Sequence, residues 1–216
     1  MNHDITNEVL AEFSTAFSSN PVNRIAMNAV TSAGLLAASK NPMAQRESRH
    51  SYSISLEQGE IKNQKHSGRC WMFAELNTFR FEVMKNLNLK TFELSQNYTL
   101  FYDKLEKSNY FLESILETLD EPTQGRLISF LLSAPLGDGG QWDMLCNLVR
   151  KYGVVPKEAM PETVSSSATR EMTSALTRKL REDACRLRKA YADGSTLDEL
   201  RQKKEAMMEE IYRVLC

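Results

Sequence analysis

The chain has 216 residues, of which 42% are hydrophobic and 25% charged, and a formal net charge of −1 at pH 7. This composition can build an ordinary water-soluble core, and the balanced charge argues against a generally basic surface for nucleic acid. No apolar run approaches the ~20 residues of a membrane span, and Met1-Asn2-His3-Asp4-Ile5-Thr6 has neither the basic nor the apolar region of a secretory signal. The four cysteines, Cys70, Cys146, Cys185 and Cys216, are scattered and form no C-x-x-C pair. Neither a zinc site nor a disulfide framework is expected, so no metal or cofactor is called for, and a reducing cytoplasm is the simplest setting.

In chain order, Ile5, Val9, Leu10, Phe13 and Phe17 mark one helical face that stops at Asn20-Pro21. Val22, Ile25, Ala26, Ala29 and Val30 mark a second, leading to Gly34, and Asn41-Pro42 breaks the pattern. Residues 43–50 read as a polar surface connection. Tyr52, Ile54 and Leu56 then alternate with polar neighbours, so 51–57 is expected to be a half-buried strand.

The next stretch, Gln64-Lys65-His66-Ser67-Gly68-Arg69-Cys70-Trp71-Met72-Phe73-Ala74, sets a thiol where a loop turns into a helix. Ser67-Gly68 is a turn signal. Trp71, Phe73, Leu76, Phe79, Val83, Met84 and Leu87 follow at the three- and four-residue spacing of a largely buried helix. A helix N-terminus offers unpaired N–H groups and a partial positive charge that favour a thiolate, which makes Cys70 the candidate nucleophile. The side-chain amide of Gln64 and the backbone N–H of Cys70 are candidate donors to a developing oxyanion. The plainer alternative is an ordinary buried helix cysteine.

The pattern Gln-x-x-Ser-Gly-Arg-Cys-Trp-x-Phe-Ala resembles the active-site segment of the papain-like cysteine peptidases, specifically the bleomycin hydrolase and aminopeptidase C branch. Ser67 stands where secreted members carry a disulfide-bonded cysteine, which matches the intracellular branch. The resemblance implies a cytosolic thiol aminopeptidase acting on peptides. It also implies an N-terminal arm that packs over the peptidase core and joins in assembly of a homohexameric ring.

Downstream, Leu94-Ser95-Gln96 resembles the family's segment before its next helix, with Ser95 as N-cap. Tyr110, Phe111, Ile115, Leu116 and Leu119 mark another helix ending at Glu121-Pro122, and Leu127, Ile128, Leu131 and Leu132 one more, ending at Pro135. Gly137-Asp138-Gly139-Gly140-Gln141-Trp142 on its own reads as a turn. The resemblance instead makes Asp138, Gly139 and Gly140, together with Trp71, candidates for substrate binding. Glycine backbone would pair with an extended peptide, and Asp138 would meet a substrate's free amine. Trp142, Leu145, Leu148 and Val149 continue as a helix to Gly153, with Cys146 in its core, and Val154–Glu162 resembles the family's extended Tyr-Gly-x-x-Pro segment.

From Ser165 the chain is charged and helical: Met172 to Tyr191 form one helix stopped at Asp193-Gly194, and Leu197 to Leu215 form a return helix. Ser195-Thr196-Leu197-Asp198 resembles a capping box. The mixed-sign charges read as a solvated face. The expected organisation is an N-terminal arm (1–60), the helical, nucleophile-bearing half of a papain-like domain (61–164) and a helical hairpin insertion (165–216). The fold class is α+β and predominantly helical, with the β-rich second half of that fold absent.

A thiol peptidase needs a histidine to take the proton and an asparagine or aspartate to orient it. This chain has only His3, His50 and His66, all before Cys70, whereas the family resembled carries its histidine and asparagine well downstream. The expectation is therefore the N-terminal half of a longer enzyme. The alternative, from a different class, is a non-catalytic helical module for oligomerisation or scaffolding.

Overall fold

The computed structural model describes residues 4–48, 51–56 and 59–216, and the chain divides into a unit ending at Leu56 and a second running to Cys216. In the first, α1 (Asn7–Ser19), α2 (Pro21–Ala33), α3 (Leu35–Ala38) and α4 (Pro42–Glu47) follow one another. Each boundary has a local cause. The Asn20 side chain accepts from Val22 N, with Pro21 opening α2, and Gly34 leaves α2 at φ +79°. Asn41-Pro42 breaks one helix and starts another by the same device, because Asn41 accepts from Met43 N and Ala44 N and Pro42 fits the first helical turn. The connection expected from residue 43 is thus partly α4. Residues 51–56 form no strand and are exposed throughout; alternation alone does not make a strand where no neighbouring chain completes its hydrogen bonds. Glu57 of that expectation, like His3 and His50, lies outside the described residues.

The second unit is built around α6 (Gln96–Glu117), which packs against α5 (Cys70–Asn86), α7 (Arg126–Ser133), α8 (Trp142–Tyr152), α10 (Arg170–Ala192) and α11 (Leu197–Leu215). A short α9 (Val164–Ser167) precedes α10. Among the described residues β pairing is confined to two isolated bridges, His66 with Ala168 and Leu94 with Pro156. Ser95 caps α6 by accepting from Tyr98 N. Two expected helices, one capped by Ser95 and one around Tyr110, are in fact this single helix. Its middle hides from an apolar-spacing argument because Asp103, Lys104 and Ser108 are buried polar residues on the inward face.

Two clusters make up the core. One joins Phe111, Leu112, Ile115 and Leu116 of α6 to Leu176, Leu180, Ala184 and Leu187 of α10 and to Leu200, Met207 and Ile211 of α11. The α10–α11 hairpin therefore buries its apolar stripe on the same helix that supports the rest of the unit. The other joins Trp71, Met72 and Leu76 of α5 to Leu100 of α6 and to Leu145 and Leu148 of α8. Each fully buried leucine contributes roughly 1.5–3 kcal/mol relative to an exposed one. Cys146, beside Leu145, is only half-buried rather than core.

The capping box of α11 lies one residue later than expected. Thr196, extended at φ −70° and ψ 161°, accepts from Glu199 N, and Glu199 returns a carboxylate oxygen to Thr196 N at 2.8 Å. Thr196→Ala is expected to lower stability by about 1 kcal/mol in urea denaturation. Ser195→Ala should leave it unchanged; equal effects would contradict this assignment of the cap.

Candidate active site

Cys70 is the first residue of α5 and is exposed, while Trp71, Met72 and Phe73 directly after it are buried. The first intrahelical bond runs from Phe73 N to Arg69 O, and no side chain caps the helix. The N–H groups of the first turn therefore have no intrahelical acceptor. Cys70 thus sits at the end of α5 that carries the partial positive charge.

The loop before Cys70 is held by side chains on both sides. The Gln64 amide donates to Ser67 O at 2.6 Å, and Ser67 Oγ donates back to Gln64 O at 2.6 Å. An amide nitrogen carries two N–H groups, and Ser67 O engages one of them. Arg69 is fully buried. Its Nε donates to Ser67 Oγ at 2.9 Å, and its two terminal nitrogens grip Glu162 in a two-pronged pair at 2.9 and 2.8 Å. Burial pushes the Glu162 carboxyl up, but the hydrogen bonds from Arg69 and Ser166 and the Arg69 charge outweigh it and hold the group below its usual range.

The glycine loop joins this frame through Asp138. Its carboxylate accepts from Lys104 Nζ at 2.5 Å, from Gly68 N at 3.0 Å, from Thr173 Oγ1 at 3.2 Å and from Thr169 Oγ1. Burial raises the Asp138 carboxyl, yet Lys104, Thr169 and the Gly68 N–H overrule it and hold the group well below the usual carboxylate range. The two oxygens offer about four acceptor positions, and these four donors fill them. Asp138 thereby ties the cysteine loop to the glycine loop, with 19% of its side chain left exposed.

Trp71 serves the same junction, because its Nε1 donates to Asp138 O at 2.8 Å. Gly140 lies against the indole so closely that a Cβ would sit 2.6 Å from ring carbons, and a Cβ on Gly68 would sit 2.6 Å from that of Asp138. Both glycines are thus required by close approach. Gly139, by contrast, faces open space.

Cys70, Gln64, Trp71, Asp138 and the two glycines are therefore members of one connected frame. His66 is exposed and its backbone N–H is bonded to Ser167 O. The sequence reading missed the Arg69–Glu162 clamp and the lysines of α6. A signal for Lys104 was present: it lies four residues after Leu100 and seven before Phe111, on the apolar face of α6, where a charge calls for a buried partner. Among the described residues no group of three or more potential ligands is placed to hold a metal, and no helix is long and apolar enough to cross a membrane.

Comparison with known proteins places these features in context. The model of the Peptidase C1-like family matches residues 4–216. Aminopeptidase C of Listeria monocytogenes is 46% identical over 215 residues, covering 100% of this chain and 48% of the relative. Bleomycin hydrolase of Homo sapiens is 41% identical over 216 residues, covering 98% of this chain and 48% of the relative. The crystal structure of PepW from Lactobacillus rhamnosis matches with a TM-score of 0.95 at 46% identity, covering 100% of this chain and 48% of that one. The chain spans about half the length of the curated relatives it matches.

Proposed function

This chain belongs to the Peptidase C1-like family and carries the helical half of a papain-like fold, and from that premise we propose that it forms the nucleophile-bearing part of a cysteine aminopeptidase. The observation that carries the reading is an exposed Cys70 on the first residue of an uncapped, buried helix, beside a loop held by Arg69, Gln64 and Asp138.

Cys70 Sγ attacks the scissile carbonyl carbon as a thiolate and forms a thioester as the amine leaves; water then cleaves the thioester and releases the acid. The second N–H of Gln64 and the N–H of Cys70 donate to the oxygen that gains charge in each step. The backbone at Gly139 and Gly140 pairs with the extended peptide, and Trp71 fixes that backbone through Asp138 O. The resemblance assigns proton transfer to a histidine with an orienting asparagine downstream of Cys70, whereas the three histidines of this sequence precede it. A cytoplasmic location and a homohexameric ring complete the reading, on the same resemblance.

The relatives named aminopeptidase C support removal of single N-terminal residues. The intact protein is expected to hydrolyse an aminoacyl coumarin amide with a free α-amine roughly 10^4-fold faster than its N-acetyl form, the scale on which a site built to pair a polar group rejects an analogue lacking it. Equal rates, or a preference for the blocked substrate, would contradict the aminopeptidase assignment.

A further inference from the structure

Three successive carbonyls of the glycine loop are held by donors on helices. Gly137 O accepts from Lys104 Nζ at 2.8 Å and Lys107 Nζ at 3.3 Å, Asp138 O from Trp71 Nε1 at 2.8 Å, and Gly139 O from Lys107 Nζ at 2.7 Å. Lys104 also binds the Asp138 carboxylate. Lys107 is fixed in turn by Asp103 at 2.8 Å, and its ammonium lies 5.4 Å from the centre of the Trp71 ring.

Burying a lysine is expensive, and an apolar residue of similar volume usually serves stability as well or better. What the two lysines add is direction. The chain has no cis peptide bonds among the described residues, and in a trans peptide the carbonyl and the N–H point opposite ways. A Gly139 carbonyl drawn onto Lys107 therefore turns the N–H of Gly140 away from α6. The indole behind Gly140 keeps that residue from carrying a side chain.

We infer that Lys104 and Lys107 form a clamp that sets the direction of the Gly140 N–H against which a peptide substrate's backbone pairs. They are positioning residues for peptide binding, not for the reactivity of the thiol. The inference rests on the reading of Gly139 and Gly140 as the substrate rest.

The test compares two rates at Cys70 in the intact protein: alkylation by iodoacetamide, which needs only the thiol, and by a peptidyl chloromethyl ketone, which also needs the substrate rest. Wild-type protein should react faster with the peptidyl reagent. Lys107→Met should slow that reaction by about tenfold or more, as small misplacements of a bound substrate do, with the iodoacetamide rate within about twofold of wild type. Lys107→Arg, which keeps the charge and the donors, should recover most of the loss. Lys107 is the primary variant because its side chain is 17% exposed, whereas Lys104 is fully enclosed; Lys104→Met should act in the same direction where its melting curve shows a folded protein. A peptidyl rate unchanged in Lys107→Met, or an equal fall in both rates, would overturn the clamp. Equal rates of the two reagents in wild-type protein would overturn the substrate-rest reading itself, and the clamp with it.

Discussion

Arg69→Met is expected to destabilise the second unit by about 3 kcal/mol at pH 7, the lower end of the cost of stranding one partner of a buried ion pair. Glu162 keeps some contact with solvent, its side chain being 23% exposed against 1% for Arg69, which is why the lower end applies. The variant also loses the guanidinium's place over the Phe73 ring, 5.0 Å from its centre.

The pH dependence of this loss has a definite sign. In the native protein the Glu162 carboxyl is held below its ordinary value. Its contribution is fully present above the unfolded-state pKa of about 4.3 and fades as pH falls from there toward the lower native value. Without Arg69, burial is the largest remaining influence and acts to raise the carboxyl. The variant's deficit should therefore be greatest near neutral pH and shrink progressively as pH falls below about 4.3 toward the lower native value, beneath which Glu162 is protonated in both proteins. Denaturant unfolding of both proteins at pH 7 and at the lowest pH at which both still fold measures the difference directly. A deficit under about 0.5 kcal/mol at pH 7, the range of ordinary surface changes, or one that does not shrink in acid, would show that the pair is not what holds the loop. Arg69→Lys, which keeps the charge but not the two-pronged geometry, should fall between the two.

Cys70→Ser is expected to reduce peptide hydrolysis by the intact protein by roughly 10^4-fold or more, the scale on which loss of a covalent nucleophile is felt. A hydroxyl in the same place is a far weaker nucleophile at neutral pH. Because Cys70 is exposed, its side chain contributes little packing, and the unfolding free energy should stay within about 0.5 kcal/mol of wild type. The combination of lost turnover and kept stability is what separates a nucleophile from a structural cysteine. Serine at Cys146, Cys185 or Cys216 should leave hydrolysis near the wild-type rate. Residual activity of Cys70→Ser above about a tenth of wild type would rule out the thiol as nucleophile, since even one general acid–base contribution exceeds that factor.

The parts of this molecule legible in the sequence are those whose cause is local. The spacing of Trp71, Phe73 and Leu76 announces α5, Asn20-Pro21 and Gly153 mark helix ends, and the thiol's place before a buried helix points to Cys70. Local patterns also mislead where a partner decides the outcome. Tyr52, Ile54 and Leu56 alternate as a strand would and remain unpaired and exposed. The middle of α6 looks polar because its charges are spent inward, on Asp138 and on the carbonyls of Gly137 and Gly139.

The support of the site was not legible for the same reason. Arg69 and Glu162 lie 93 residues apart in sequence, and Gly68 and Asp138 lie 70 apart. Only the packing of α5, α6 and α10 brings these partners together. Asp138 shows the limit most plainly: nothing local to an aspartate between glycines announces the four donors that gather around it.

The central claim is that Cys70 becomes covalently acylated by substrate, and it is tested by trapping that acyl group. Protein mixed with an amino acid p-nitrophenyl ester, quenched in acid within the first turnovers and mapped by peptide mass, should carry one aminoacyl group on the peptide containing Cys70. An unmodified Cys70, or acyl groups spread evenly over Cys70, Cys146, Cys185 and Cys216, would contradict the account.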